Sequence, residues 1–222
     1  MELGRSSAAM GRRVRLMWNY EKRLQFPVKI KETNPKLAQV IISQFGGPDG
    51  ELAASMRYLS QRYAMPYRDV AGLLTDIGTE ELAHLEMIGA MIYQLTKELS
   101  MEEIEQSGFD KYYVDHTLGI WPQAAGGIPF NACEFQSKGD IITDLQENMA
   151  AEQKARSTYD NILRLVKDPD VCEPIRFLRE REIVHFQRFG EALRLTTERL
   201  DAKNFYAFNP GFDKCENCSS KP

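Results

Sequence analysis

The sequence predicts an all-α protein, a four-helix bundle with a long crossover between its second and third helices. Three observations support this. Four long segments carry apolar residues at steps of three and four, the spacing of a helix face turned toward a core. About forty residues rich in Gly, Pro and aromatics separate the second segment from the third. Such a connection is long for a compact domain, and it suits a bundle in which helices two and three run parallel. Finally, Glu and His residues fall within the apolar register of these segments instead of beside it.

The first helix begins at "NPKLAQVIISQF" and continues through the break "GGPDG" into "ELAASMRYLSQRYA". Asn34 suits the N-cap with Pro35 at the first helical position, and Asp49 is expected to cap the restart. The second helix runs from about Arg68 to Leu99, the third from about Gly139 to Val166, and the fourth from about Pro174 to Asp201. Pro174 is placed at the opening of the last helix for the same reason as Pro35. In the crossover, "MEEIEQSG" reads as a short helix and "FDKYYVDHTLGIWPQAAGGIPFNACEF" as loop. The domain is expected over 17–200. Residues 1–16 read as a disordered arm or as an extension ahead of a start at Met17, and 201–222 as an extended arm that lies on a neighbouring subunit.

The chain has 222 residues and a formal net charge of −4, with 43% hydrophobic and 27% charged residues. That composition is globular. No basic stripe lies along a predicted helix, so nucleic acid is not an expected partner. The longest uncharged run is broken by Pro122, Gly126, Gly127 and Pro129, so no membrane span is expected. "MELGRSSAAMGRRVRL" lacks the apolar segment of a secretory signal, which points to a cytoplasmic, reducing compartment. The four cysteines are too few and scattered for a disulfide framework. Cys215 and Cys218 form a lone CxxC without two further ligands for zinc.

Helix two carries Ile77, Glu81, His84, Ile88, Met91 and Leu95 at steps 4, 3, 4, 3, 4. Helix four carries Ile175, Leu178, Glu182, His185, Phe189 and Ala192 at steps 3, 4, 3, 4, 3. In both, a Glu and a His three residues apart occupy seam positions and project the same way. Helix three places Glu152 on a seam with Leu145, Asn148, Ala155, Tyr159, Ile162 and Val166; helix one offers Glu51 with Ser55 and Tyr58. Glu80 and Glu86 fall off these seams and read as solvated charges, and Glu147 is likewise off its seam. His116 lies in the crossover and is not expected to be a ligand. The Met and aromatic seam residues read as core.

Burying one such carboxylate unpaired costs on the order of several kcal/mol. Four would rival the whole stability of a domain, about 5–15 kcal/mol. No Lys or Arg shares the seams of helices two to four. A pair of divalent metals balances four carboxylates and two neutral histidines. One Glu on each of two helices with Glu-x-x-His on each of the other two is the di-iron or di-manganese bundle arrangement. On the residues alone Glu182 would be a sixth ligand.

Taken together, "MWNYEKRLQFPVKI", "QFGGPDGELAASMRYLSQRY", "LLTDIGTEELAHLEMIGAMIYQLT", "AAGGIPFNA", "KGDIITDLQENMAAEQKARSTY" and "FLREREIVHF" resemble the manganese catalase family, most closely its spore-coat branch, from Met17 to Leu200. The resemblance implies a ferritin-like bundle, two manganese ions per chain and disproportionation of hydrogen peroxide to water and dioxygen. By position, Glu51, Glu81, His84, Glu152 and His185 match the family's metal ligands, with Glu81 bridging both metals. Glu182 matches an acid just outside the metal shell and is assigned to catalysis, as the proton carrier. The resemblance also implies a homo-oligomer, usually a hexamer, and a protein made in the mother-cell cytoplasm that ends in the spore coat beside other coat proteins. This chain departs from the family at Ala151, where some members carry an arginine directly before the third-helix ligand; Lys154 and Arg156 are nearby but do not match that position. Iron is the other metal this donor set accepts. The rival readings are a di-iron ferritin-like oxidase and a mainly structural coat protein with a weak metal site.

Overall fold

The computed structural model describes residues 23–134, 136–200, 209 and 211. Among the described residues the regular structure is helical, apart from one isolated antiparallel bridge between Gln123 and Pro129. The two terminal arms and Cys215 and Cys218 lie almost wholly outside the described residues.

The first bundle helix comes in three pieces: α1 (Pro35–Ile41), α2 (Ser43–Gly46) and α3 (Glu51–Gln61). Asn34 caps α1 as expected, accepting from the backbone N–H of Leu37 at 3.0 Å. Asp49 does not cap α3. The N-cap is Gly50, with no side-chain cap, and Asp49 pairs instead with Lys154 at 3.2 Å. Gly50 is there because the chain passes close to its own preceding turn: a Cβ would lie 2.9 Å from the carbonyl oxygens of Gln44 and Ser43. Gly46 is tighter still, since its Cβ would meet the backbone of Pro122 and Gln123 at 2.4 Å, and this contact packs the crossover against α2.

Helix α4 spans Arg68–Thr96. The crossover then holds α5 (Met101–Ser107), with a capping box between Ser100 and Glu103. It also holds α6 (Asp110–His116), within the stretch whose composition points to loop. Seven residues are too few to form a helix on propensity alone. Tertiary contacts stabilise α6: Tyr112 is buried, its hydroxyl donates to the Gly119 carbonyl, and the Trp121 N–H donates to that hydroxyl at 2.7 Å.

Helix α7 runs Ile141–Leu165, capped by Asp140, and α8 runs Pro169–Leu200. Pro174 therefore lies inside α8 instead of opening it. Pro169 holds the first position, where a missing N–H costs nothing, and the Asp168 carbonyl accepts from Cys172 at 2.9 Å. Pro174 forfeits one helical bond in a segment buried beside Ile175 and Leu178.

Two apolar clusters show how the helices run. One joins Met87, Ile88 and Leu95 of α4 to Tyr159 and Ile162 of α7, Ile175 and Leu178 of α8, and Ile41 of α1. The other joins Val70, Leu74 and Ile77 of α4 to Ile141 and Leu145 of α7, Phe189 and Ala192 of α8, and Tyr58 of α3. Helices α4 and α7 are thus parallel, as the long crossover requires, while α8 and the α1–α3 arm run the other way. Between the two clusters α3, α4, α7 and α8 contribute polar side chains to one buried layer: Glu51, Glu81, His84, Glu152, Glu182 and His185.

Candidate metal centre

The seam arithmetic puts these six side chains at the same height in the bundle, all at most 2% exposed. They fall into two groups. Glu51, Glu81, His84 and Glu182 each offer an atom within 4.8 Å of the others, and so do Glu81, Glu152 and His185. Glu81 belongs to both. One of its oxygens lies 2.7 Å from His84 Nδ1 and the other 2.7 Å from His185 Nδ1. The imidazoles face each other with centroids 5.6 Å apart. All five residues expected as ligands, and Glu182, are therefore brought together.

Several atoms in this layer are buried without a hydrogen-bond partner: Glu81 Oε1, Glu152 Oε2, Glu182 Oε1 and His185 Nδ1. Glu81 Oε1 and His185 Nδ1 are close yet not aligned as donor and acceptor. Close, misaligned donor atoms of opposite helices suit a cation shared between them, and the carboxylate and imidazole set suits manganese or iron. The residues present fit a dinuclear metal site.

Without metal, the histidines act as the cations of the layer. Burial opposes their protonation, but carboxylates outweigh it: Glu81, Glu152 and Glu80 push His185 up to about 12, and Glu81, Glu51 and Glu80 hold His84 well above its ordinary range. Burial also pushes on Glu81, yet the two imidazoles draw it well below the usual carboxylate range. Glu51 and Glu182 go the other way. Burial, then repulsion from Glu81, outweighs the pull of His84 and takes Glu51 up to about 7. Burial, with Glu152, Glu51 and Glu81 around it, raises Glu182 well above the usual range.

A pH prediction follows. A carboxyl raised from 4.5 to about 7 on folding stabilises fully below pH 4.5 and loses that contribution as pH rises through 7. The raised histidines act with the same sign above pH 6.5. Chelator-treated protein is expected to lose about 3 kcal/mol or more between pH 5 and pH 8, at about 1.4 kcal/mol per pH unit for Glu51. Denaturant melts at the two pH values check it; a metal-free stability that rises toward pH 8 contradicts it.

The structure corrects two sequence expectations. Glu80 is not an ordinary solvated charge. It is 15% exposed and sits behind both imidazoles, accepting from His185 Nε2 at 3.0 Å and lying 3.7 Å from His84 Nε2. Arg181 holds it at 2.8 Å and Gln25 at 2.6 Å. A carboxylate on the far ring nitrogen fixes the imidazole's tautomer and orientation. Heptad register hides Glu80, but its i,i+4 spacing to His84 was visible. Glu80→Gln is expected to weaken manganese binding about 10- to 100-fold, read by competition with a chelator; unchanged affinity would rule out this role.

The second correction concerns Tyr58 and Tyr159, which read as core aromatics. Their hydroxyls donate to Glu152 and Glu51 respectively, so each tyrosine holds one carboxylate of the layer. Other expectations stand. His116 stacks on Trp121 away from the layer, with centroids 5.0 Å apart, and Glu86 is exposed. Lys154 faces Asp49 and Glu147, and Arg156 faces Asp160 and Gln153, so neither reaches the centre.

A cavity adjoins the centre. Its lining includes Glu51, Arg57, Tyr58, Ala151, Glu152 and Glu182, and it gives about 10 Å³ to the centre of a water-sized molecule. That is room for about one water. Arg57, a residue the seam pattern did not single out, is 2% exposed.

Comparison with known proteins agrees with this architecture. Residues 17–205 match the family model described as manganese containing catalase. The chain is 52% identical to Protein CotJC of Bacillus subtilis over 190 residues, covering 86% of this chain and 100% of that protein. It is 35% identical to the probable manganese catalase of Clostridium acetobutylicum, covering 85% of each. The crystal structure of KatB, a manganese catalase from Anabaena, superposes with a TM-score of 0.75 at 32% identity over 83% of each chain. The family-model match runs through all four helices that carry the buried polar layer. The chain belongs to the manganese-containing catalase family.

Proposed function

We propose that the protein disproportionates hydrogen peroxide to water and dioxygen at a dimanganese centre. The observation that carries this reading is Glu81, whose two oxygens each lie 2.7 Å from a different histidine at the middle of the bundle. In this reading Glu51, Glu81, His84, Glu152 and His185 hold the metals, with Glu81 between them. Bound there, a metal pair supplies and recovers the two electrons that each peroxide exchanges.

The protein supplies the rest. Tyr58 and Tyr159 hold the terminal carboxylates, and Glu80 orients the His185 imidazole, with His84 Nε2 3.7 Å from the same carboxylate. Glu182 takes the proton peroxide gives up and returns it as the O–O bond breaks. In the metal-free layer, burial and the neighbouring Glu152, Glu51 and Glu81 raise its proton affinity. The small cavity suits a substrate scarcely larger than water and excludes bulkier reductants.

Expression with manganese and iron both supplied tests the reading. Elemental analysis is expected to give close to two manganese ions per chain, and the same preparation should evolve oxygen from peroxide, losing that activity on chelation. Iron in place of manganese favours a di-iron oxidase. Two manganese ions with no oxygen evolution favour a mainly structural role.

We assign the protein to the mother-cell cytoplasm and then the spore coat. The extent of its likeness to Protein CotJC supports this, and no helix among the described residues is long and apolar enough to cross a membrane. Immunogold label confined to vegetative cytosol, with none in spore layers, contradicts it. A homo-oligomer, a hexamer by family likeness, is the proposed assembly.

A further inference from the structure

Arg57 is a buried guanidinium that lacks the partners such a group needs. Its side chain is 2% exposed, and neither Nε nor Nη1 has a hydrogen-bond partner. Its nearest acid is Glu147, at 4.0 Å from Nη1. Glu147 is 30% exposed and is itself held by Lys154 at 3.2 Å, so it compensates Arg57 weakly. Arginine stays charged in proteins, and a desolvated charge with only a distant, half-solvated partner is costly to bury. Such a cost at one residue points to a use for it.

The surroundings indicate the use. Arg57 lines the cavity beside the centre together with Glu51, Tyr58, Glu152 and Glu182. Ala151, immediately before Glu152, also lines it, and a methyl there leaves the space that a longer side chain on α7 would fill. The charge balance points the same way. Glu51, Glu81, Glu152 and Glu182 match two divalent cations, and Glu80 is matched by Arg181 at 2.8 Å. With the metals in place, Arg57 is left among the described residues with Glu147 at 4.0 Å and the longer-range attraction of buried Asp144, whose oxygens are taken by the Lys138 and Gly139 N–H groups. The space beside it holds about one water-sized occupant. A multi-atom carboxylate or phosphate does not fit that volume; a single small anion does.

We propose that Arg57 is the binding group of a small-anion site at the entrance to the centre, where its free N–H groups draw in a compact inorganic monoanion. Halide-sized inhibitors and the conjugate base of peroxide share that chemistry. The site is built by the pairing of Arg57 on α3 with Ala151 on α7. The proposal rests on the dimanganese reading above, because the anion site is placed at the mouth of that centre.

Fluoride, close to water in size, is the probe. Manganese-loaded wild type, Arg57→Met and Arg57→Lys are titrated calorimetrically with sodium fluoride, with metal content and melting temperature measured on each. With two metals retained in all three, fluoride affinity is expected to fall about 10- to 100-fold in Arg57→Met, the scale of a charge-assisted hydrogen bond. Arg57→Lys is expected to fall between them. Arg57→Met should melt no lower than wild type, since the arginine it removes is only weakly paired. Equal fluoride affinity at full metal loading overturns the anion site, as does a Met variant that melts several degrees lower with affinity unchanged, because Arg57 would then be a structural prop. Wild type that takes up no manganese overturns the dimanganese reading itself, and the anion site with it.

Discussion

Replacing Glu81 by alanine is expected to strip both metals from the protein and abolish oxygen evolution. Glu81 is the residue common to both ligand groups. Its removal leaves each half with a single imidazole facing carboxylates from other helices, too little to hold a divalent ion tightly. The metal-free fold should suffer as well. Both protonated imidazoles lie 2.7 Å from Glu81, and removing the shared carboxylate leaves two buried cations closer to charge imbalance. Breaking a buried pair in this way costs about 3–5 kcal/mol. Elemental analysis and a denaturant melt read the two effects separately. A Glu81→Ala protein that keeps two metals per chain would remove the bridge from the account.

Glu182→Gln is expected to behave differently. The amide keeps the shape of the side chain and removes its proton-accepting role, so metal content should stay near wild type. Turnover should fall about 100-fold or more, the usual scale for a positioned acid–base group. The division follows the family resemblance, since Glu182 also falls in the group formed by Glu51, Glu81 and His84. Glu182 lies 4.0 Å from His84 Nδ1, against 2.7 Å for Glu81 and 3.7 Å for Glu51. Loss of metal from Glu182→Gln as complete as from Glu81→Ala would make Glu182 a ligand. The centre would then have six protein ligands, as the residue pattern alone suggested.

Much of this architecture was legible in the sequence because bundle seams are periodic. The steps through Ile77, Glu81, His84 and Ile88, and through Leu178, Glu182, His185 and Phe189, named residues that all prove buried, with the Glu and His residues in one layer between the two apolar clusters. Parallel α4 and α7 followed from the length of the crossover. Periodicity failed where support comes from outside the seam. Glu80 is one residue off register, yet its side chain reaches back behind both imidazoles. Arg57 is off the stripe of Glu51, Ser55 and Tyr58 but is buried at the meeting of α3 and α7. Tyr58 and Tyr159 were on register, but a tyrosine's apolar ring hides its hydroxyl's function from a hydrophobicity pattern. Helix boundaries failed for local reasons: Pro169 and Pro174 are both acceptable first-turn prolines, and only tertiary packing decides between them.

The centre itself can be observed directly. Crystals of manganese-grown protein, measured on both sides of the manganese absorption edge, give an anomalous difference map that locates each ion. Two peaks about 3.5–4 Å apart, the spacing of paired catalytic metals, are expected on either side of the Glu81 carboxylate. One should be contacted by Glu51 and His84, the other by Glu152 and His185. A single peak, or manganese bound only outside this buried layer, would contradict the dinuclear centre on which the proposed catalase activity depends.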